Sequence, residues 1–325
     1  MIFALAITGP TASGKTALSI ETAKMLGCEI ISLDSMQIYR YMDIGTAKAT
    51  KEEQAAVKHH MLDFLNPDEN YSANSYKSDS LAIAKDICKR GKIPLFVGGT
   101  GLYLSTLLRP ECETAPESDV NYRKRIEESI KSEEDKIALW KRLNDIDPKS
   151  AAMVHYNNVR RVIRALEIYD ATGKTKTYFD YMTKEPSKEI KVIHLTIDFH
   201  DRENLYRRVD ERVDKMVSDG LYEEVTHLLD MGYLKEDTTA SQAIGYKEII
   251  EAKNNGLSLD SAKEKIKQAS RNYSKRQLTW FRNTKDTITI YADDEMGVMK
   301  PRKAFIEEAL GIFTNEYKKL INNTH

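Results

Sequence analysis

Residues 9–16 read Gly9-Pro10-Thr11-Ala12-Ser13-Gly14-Lys15-Thr16 and satisfy every fixed position of the pattern G-x-x-x-x-G-K-[ST]. Loops of this pattern wrap backbone N–H groups around a di- or triphosphate, because glycine lets the chain curl close to the oxygens and the next helix presents its positive N-terminal end. An apolar run at 3–8 predicts a strand before the loop, and residues 17–26 predict an amphipathic helix after it. We expect Lys15 to add a mobile positive charge and the Thr16 hydroxyl to bind Mg²⁺. The pattern predicts a phosphate site, against the alternative of a chance glycine turn, and leaves open which phosphate compound it holds.

Composition narrows the class of protein. The 325 residues carry 49 Lys and Arg against 50 Asp and Glu, so any surface for nucleic acid must be local. Cys28, Cys88 and Cys112 form no C-x-x-C pair, which argues against a zinc site or disulfide framework and favours a reducing compartment. Neither a secretory leader nor a run of membrane-spanning length is evident. We therefore expect a cytoplasmic protein without membrane contact.

Apolar runs alternate with helical patterns along the chain. Residues 29–33, 93–97 and 192–197 predict buried parallel strands, and 73–89 predicts a helix between the first two. From 119 to about 173 only helices are predicted, and beyond 197 come two more helices, a strand at 287–291 and a last helix at 302–321. The pattern indicates an α/β fold like that of P-loop nucleotide-binding proteins, a doubly wound parallel sheet with an inserted all-helical domain. Its expected bounds are 1–113 and 190–325 for the core and 114–189 for the insertion.

Two further loops follow predicted strands at the end where an open α/β sheet holds its ligand. Asp34, directly after 29–33, can hold Mg²⁺ through water or accept a proton from a nucleophile, and a cap or turn is the alternative role. The segment Gly98-Gly99-Thr100-Gly101-Leu102-Tyr103 follows 93–97 and allows close backbone approach to a ligand. Thr100 is placed to donate a hydrogen bond to a phosphate or departing oxygen, and a plain tight turn is the alternative explanation of the segment.

Basic residues cluster in two helical segments. Between 263 and 285 eight basic residues stand against one acid, and Arg271, Lys275 and Arg282 share a helix face with aromatic residues interleaved. A second cluster at 160–164 lies on a helix of the insertion. Either cluster fits an RNA backbone or a solvated helix face.

Together these motifs resemble those of the tRNA dimethylallyltransferases, also called tRNA isopentenyl diphosphate transferases, over nearly the whole chain. The matching pieces are GPTASGKT at 9–16, DSMQIYRYMDIGTAK at 34–48, HHMLDFLNP at 59–67, GGTGLY at 98–103, VRRVIRALEIYDATGK at 159–174, SQAIGYKE at 241–248 and KRQLTWFR at 275–282. The resemblance implies transfer of a dimethylallyl group from dimethylallyl diphosphate, with Mg²⁺, to N6 of the adenosine just 3′ of the anticodon. The expected partners are that diphosphate and the tRNA anticodon stem-loop, and we expect a monomer.

The resemblance also implies residue roles. Asp34 is the base that takes the N6 proton, Lys15 and Thr100 act on the leaving group, and Arg208 or Arg212, four apart on one helix face, contacts pyrophosphate. Ser35 and Gln37 are candidate readers of the extruded base. Gln242 departs from the basic residue expected there, and Arg125 is the alternative to Arg123. The implied tRNA contacts are Asp34, Ser35, Met36, Gln37, Thr100, Arg123, Arg160, Arg161, Val162, Ile163, Arg164, Gln242, Gly245, Tyr246, Lys247, Lys275, Arg276 and Arg282.

Three alternatives use the same loops differently. A transferase acting on free AMP, ADP or ATP needs no RNA surface, which the insertion and the basic helix argue against. A small-molecule kinase would use the first loop for ATP and an acid for its acceptor hydroxyl. A non-catalytic RNA-binding protein would use the basic helices alone.

Overall fold

Six strands form one parallel sheet in the computed structural model, which describes residues 1–110, 112–183, 185–235 and 238–322. The spatial order is β3-β2-β4-β1-β5-β6, and every neighbouring pair is parallel. The strands are β1 Ile2–Thr8, β2 Cys28–Ser32, β3 His59–His60, β4 Ile93–Gly98, β5 Ile190–Asp198 and β6 Thr287–Tyr291. The strands β1 and β2 are almost wholly buried, as apolar runs covered on both faces require. The predicted α/β fold with a parallel sheet is confirmed.

Helices connect the strands and cover the sheet. They are α1 Lys15–Leu26, α2 Lys51–Ala56, α3 Ala73–Lys89, α4 Gly101–Leu107, α5 Val120–Ser129, α6 Glu133–Ile146, α7 Pro148–Ala152, α8 Val159–Thr172, α9 Lys176–Met182, α10 Arg202–Ser218, α11 Leu221–Asp230, α12 Tyr246–Asn254, α13 Leu259–Arg282 and α14 Arg302–Asn322. A short 3-10 helix, Ala240–Gln242, precedes α12. No described helix has the length and apolar character needed to cross a bilayer.

Two details of the strand and helix order differ from expectation. Four α-helices, α10 to α13, are described between β5 and β6 instead of two. Gly220, at φ +104°, separates α10 from α11, and Gly256, at φ +63°, lies between α12 and α13. The edge strand β3 has only two residues, too few to produce an alternating pattern.

The chain divides into two compact units. One comprises Met1–Leu107 and Ile190–His325 and contains the sheet, and the other comprises Leu108–Glu189 and contains α5 to α9. The first boundary thus lies at 107/108, where the sequence placed it at 113/114. The helical unit has its own buried core, built on Leu143, Val162 and Leu166.

Register brings three loops to one edge of the sheet. Thr8 pairs with Gly98, and Ser32 pairs with Val97, so β1, β2 and β4 end side by side. The Leu33 N–H donates to the Val97 carbonyl at 2.7 Å. A Cβ on Gly98 would lie 2.1 Å from the Leu33 carbonyl oxygen, so this approach requires glycine. The loops after these three strands therefore share one site.

Candidate active site

The three loops open into a cavity of about 720 Å³ in the sheet-containing unit. Its walls come from residues 11–16, 34–37, 45–47 and 97–99, and from α10 and α13. This volume and this position, beyond the carboxyl ends of parallel strands, are typical of a site for a small organic ligand.

The phosphate loop is held in a strained, closed form. Gly9 has φ +146°, and a Cβ there would lie 2.9 Å from the Ile197 carbonyl oxygen, so only glycine fits. Ala12 also has a positive φ, +62°. The Ser13 hydroxyl is buried and has no hydrogen-bond partner among the described atoms. An unpartnered buried hydroxyl at this position indicates that the loop is shaped to receive an oxygen-rich ligand.

Lys15 folds back onto its own loop. Its ammonium donates to the carbonyl oxygens of Pro10 at 2.6 Å and Gly9 at 3.1 Å. Removal from water, followed by repulsion from Arg212, lowers the pKa of Lys15 to about 7, and Asp34 opposes the shift. An ammonium held only by carbonyl groups is available to a phosphate.

Both predicted arginines of α10 reach the same cavity. Arg208 donates through Nε to the Ala12 carbonyl at 2.8 Å, and Arg212 donates to the Thr46 carbonyl at 3.4 Å. Burial lowers the pKa of each guanidinium, and the charge of Asp34 partly offsets this for Arg212. Neither makes an ion pair with a carboxylate of the described chain, so Arg208, Arg212 and Lys15 converge with only the nearby charge of Asp34 to offset theirs.

Asp34 has the turn role that the sequence offered as one alternative, and its chemical role stays a prediction. Its Oδ1 accepts from the N–H groups of Met36 at 2.8 Å and Gln37 at 3.3 Å, which makes it the anchor of a turn. No described group hydrogen-bonds to Oδ2, and the residue lines the cavity. The turn fixes the carboxylate while leaving one oxygen for chemistry.

The third loop packs against α13. Thr100 accepts from the Ser35 N–H at 3.1 Å, beside the Asp34 turn, but it does not line the cavity. A Cβ on Gly99 would lie 2.1 Å from Gln277, and one on Gly101 would lie 2.3 Å from Trp280. The glycines of this loop therefore make room for side chains of α13.

Gln277 is a structural link that the sequence reasoning missed. It accepts from the Thr11 N–H at 2.8 Å and donates to the Gly99 carbonyl at 3.0 Å, so it joins the phosphate loop to the third loop. It is buried and lines the cavity. No local pattern marks it, because its partners lie 266 and 178 residues away.

The Gln37 side chain makes three hydrogen bonds within the protein, which the sequence did not predict. Its carbonyl accepts from Ser32 at 3.1 Å, and its amide donates to the carbonyl oxygens of Thr46 at 3.2 Å and Ala47 at 3.3 Å. Both amide hydrogens are thus used inside the protein, and one lone pair is left for a base. Ser35 and Met36 also line the cavity.

Part of the cavity wall is apolar. Val213, Ala243 and Ile266 belong to a buried hydrophobic cluster, and Met216 and Ile244 pack against it. All five line the cavity that the phosphate loop also lines. One cavity thus offers cations and loop amides together with a hydrocarbon surface.

The donors at this site fit Mg²⁺. Thr16 and Asp34 both line the cavity, and they offer a hydroxyl and a carboxylate oxygen. No group of three or more His, Cys, Asp or Glu side chains suited to a metal occurs among the described residues. This set suits Mg²⁺, which binds through one or two protein oxygens together with phosphate oxygens and water.

Three predicted tRNA contacts have buried side chains. Val162 and Ile163 are 0% and 1% exposed because they form the apolar stripe of α8. Tyr246 is 0% exposed, and its hydroxyl donates to Glu224 inside a hydrophobic cluster. The structure contradicts direct contact between tRNA and these three side chains.

Three predicted arginine contacts are tied to acids of the chain itself. Arg123 and Arg164 bind the buried carboxylate of Glu167, at 3.0 and 2.7 Å. Arg282 binds Asp198 with two bonds of 2.7 Å. These guanidinium groups neutralise buried carboxylates of the chain itself, and contact between them and tRNA stays a prediction.

The basic face of α13 is likewise half neutralised. Arg271 pairs with Asp210 at 2.6 Å, and Lys263 and Lys267 pair with Asp214 at 2.9 and 2.8 Å. Both acids lie on α10, which the composition of 263–285 alone cannot reveal. The RNA-facing interpretation of the whole stripe is therefore too broad.

Apart from Gly245, which is buried, the remaining predicted tRNA residues are partly or fully exposed. Arg160, Arg161, Lys275 and Arg276 are exposed and make no ion pair within the described chain. Lys247 is exposed and lies 3.7 Å from Glu251. Gln242 and Gly245 line the cavity, as does Arg276, whose guanidinium lies 5.5 Å from the Tyr273 ring centre. These positions stay predictions for tRNA contact.

Comparison with known families gives two matches. The family model described as IPP transferase matches residues 37–284, and the model described as isopentenyl transferase matches residues 2–67. Together they include the phosphate loop, the Asp34 turn and α13.

Named proteins give the same result. A tRNA dimethylallyltransferase of Thermoanaerobacter sp. (strain X514) is 42% identical over 306 residues, which cover 94% of this chain and 96% of that protein. The crystal structure of a tRNA isopentenylpyrophosphate transferase from Bacillus halodurans matches with a TM-score of 0.72 and 36% identity over 100% of both chains. A eukaryotic dimethylallyltransferase acting on tRNA matches with a TM-score of 0.74 and 29% identity, over 90% of this chain and 75% of that one.

Proposed function

Because the chain belongs to the IPP transferase family, we propose that it transfers a dimethylallyl group from dimethylallyl diphosphate to N6 of the adenosine just 3′ of a tRNA anticodon. One observation supports this choice of donor most directly. A single cavity presents the phosphate loop, Arg208 and Arg212 beside an apolar wall that includes Val213 and Ile266. A short hydrocarbon attached to a diphosphate has this same pairing of properties.

The reaction breaks the bond between C1 of the donor and its diphosphate oxygen and forms a bond between C1 and N6. The double bond spreads the positive charge that develops on the carbon, so the main demand on the protein is to stabilise the departing diphosphate. Arg208 and Arg212, together with Lys15 when it is protonated, meet that demand with positive charge in a site partly removed from water.

Adenine N6 is a weak nucleophile because its lone pair is delocalised into the ring. Asp34 accepts the N6 proton through Oδ2, while Oδ1 keeps the turn in place. Thr100, bonded to the Ser35 backbone, supports this turn from the third loop. The proton thus moves to the carboxylate as the diphosphate leaves.

Mg²⁺ would be held by Thr16, and through water by Asp34, and would supply further charge neutralisation for the diphosphate oxygens. The unpaired Arg160, Arg161, Lys275 and Arg276 are the surface cations that would meet the anionic RNA backbone. The three cysteines are not joined by disulfide bonds, which is consistent with a protein that acts in the reducing cytoplasm.

The test is a transfer assay with three acceptors. The purified protein is incubated with radiolabelled dimethylallyl diphosphate, Mg²⁺ and either unmodified tRNA, AMP or no acceptor. We expect label in tRNA, on an adenosine next to the anticodon by nuclease mapping. Label in AMP alone would identify a transferase of free nucleotides, and ATP-dependent phosphorylation of a small acceptor without prenyl transfer would identify a kinase.

A further inference from the structure

Glu224 of α11 binds three consecutive backbone N–H groups of a distant segment. Its Oε2 accepts from Asp43 at 2.8 Å and Ile44 at 2.7 Å, and its Oε1 accepts from Gly45 at 3.0 Å. The Tyr246 hydroxyl donates to the same carboxylate. The three backbone donors lie about 180 residues from Glu224 along the chain, so this carboxylate makes a strong contact between two distant segments.

The segment held by Glu224 does not have a relaxed backbone. Ala47, within residues 43–47, has φ +44°, and Tyr41, just before them, has φ +65°; both values lie in the region that side chains rarely adopt. Such conformations persist only where surrounding contacts impose them. Gly45 shows how closely the segment is packed, since a Cβ there would lie 2.4 Å from the Tyr246 ring.

The other side of this segment faces the cavity. The Thr46 carbonyl accepts from Gln37 at 3.2 Å and from Arg212 at 3.4 Å, and the Ala47 carbonyl accepts from Gln37 at 3.3 Å. Gln37 in turn donates its backbone N–H to Asp34. The segment therefore contacts one cation of the site and the turn that carries the acid.

We propose that Glu224 is a positioning residue of the transfer reaction, and this rests on the proposed function. Glu224 fixes residues 43–47, and the Thr46 carbonyl then holds Arg212 where a diphosphate oxygen leaves. The residue itself does not line the cavity, so it acts through the segment and not on the substrate.

A double-mutant cycle tests this route. Glu224→Gln keeps the shape of the side chain but removes its charge and turns an amide donor toward backbone donors. We expect it to lower single-turnover rate by about 10- to 100-fold, the cost of displacing a catalytic group by roughly 1 Å. In the background of Arg212→Gln, Glu224→Gln should lower the rate little further, because the group it positions is already absent.

Two variants separate positioning from loss of fold. Glu223→Gln removes the same charge from the neighbouring, exposed residue of α11 and should leave the rate unchanged. Gly45→Ala displaces residues 43–47 by contact with the Tyr246 ring while the Glu224 side chain itself is kept. Its loss of rate should also be smaller in the Arg212→Gln background than in the wild-type protein. Gly45→Ala therefore carries the test if Glu224→Gln does not yield folded protein.

The outcomes are distinct. Rate losses that multiply in the cycle would overturn the proposal, as would a wild-type rate for Glu224→Gln. A loss of rate that tracks a fall in melting temperature, and disappears at a temperature where each variant is fully folded, would also overturn it. Absence of transfer by the wild-type protein would instead reject the proposed function.

Discussion

The cations of the cavity differ in their partners from two ion-paired arginines, Arg164 of α8 and Arg282 of α13. Lys15, Arg208 and Arg212 donate to backbone carbonyl groups and make no ion pair within the described chain. Arg282 and Arg164 bind carboxylates that are 4% and 3% exposed. The same residue types therefore occur in two settings: in the cavity they have no ion-paired carboxylate within the described chain, and elsewhere they neutralise a buried acid of the chain.

This difference shows how a ligand site is distinguished from a charged surface. Holding several partly buried cations close together without a counter-ion costs stability, and a protein retains that cost where an anion binds. The charge of an ion-paired arginine is already neutralised by a carboxylate of the chain. Counting basic residues in a sequence does not separate the two cases, but the partner of each guanidinium does.

The largest expected effect comes from replacing Asp34, the acid that lies among the cavity cations. Asp34 lies among the cavity cations but uses only Oδ1, for the Met36 and Gln37 N–H groups. Asp34→Asn keeps an oxygen for the turn and removes the base. We expect single-turnover prenyl transfer to fall by about 10² to 10⁴, the usual contribution of a general base.

Thermal melting serves as the control for Asp34→Asn. The melting temperature should stay near wild type, since the turn remains formed. A variant with unchanged turnover would remove Asp34 from its proposed role.

The next effect contrasts one unpaired with one paired arginine. Arg212→Gln should lower kcat/KM by about 10² to 10³, the loss found when one group that stabilises developing charge is removed. Arg282→Gln should leave kcat near wild type but lower the free energy of unfolding by about 1 to 3 kcal/mol, because Asp198 loses its partner.

Steady-state kinetics and melting curves on the same preparations check both variants. The contrast between the two classes of cation fails if Arg282→Gln loses as much activity as Arg212→Gln while retaining its stability.

The third effect is a pH dependence of anion binding. Because the pKa of Lys15 in the free protein is lowered to about 7, a rising fraction of the ammonium is neutral above that pH. Binding of pyrophosphate then requires uptake of a proton, so affinity falls as pH rises, by up to about tenfold per unit. Below pH 7 the ammonium is already charged and this dependence vanishes.

Lys15→Arg is the matched control for that titration, because a guanidinium stays protonated throughout the range. Calorimetric titrations from pH 6 to 9 should show affinity of wild type falling relative to the variant only above about 7. Parallel curves for the two proteins would show that Lys15 does not titrate there.

The sequence could predict the parts of the site that short, contiguous segments form. Residues 9–16, Asp34 and 98–103 follow strands, so a local pattern and the rules of parallel sheets place them together. Glu224 and Gln277 could not be found in this way, because each gains its role from partners more than 170 residues away. The ion pair between Arg271 and Asp210 joins residues 61 apart, so it also could not be read from a local pattern. The basic residues of 263–285 therefore seemed to have no acidic partner.

The smallest expected effect concerns the arginines of the helical unit, where unpaired and ion-paired side chains lie on one helix. Arg160 and Arg161 are exposed and make no ion pair in the described chain, whereas Arg164, on the same helix, binds buried Glu167. If the unpaired pair contacts RNA phosphates, Arg160→Gln with Arg161→Gln should weaken tRNA binding several-fold. Each lost phosphate contact should also flatten the slope of log affinity against log salt by about 0.7 to 0.9.

Arg164→Gln provides the contrasting arm of that experiment. It should leave the salt slope unchanged and destabilise the helical unit, because Glu167 then keeps only Arg123 and the Asp119 N–H as partners. Filter binding at several salt concentrations and hydrogen exchange of α8 measure the two quantities separately. A flattened slope for Arg164→Gln would mean that this arginine leaves Glu167 to bind RNA, and pairing in the free protein would then no longer separate structural cations from ligand-binding ones.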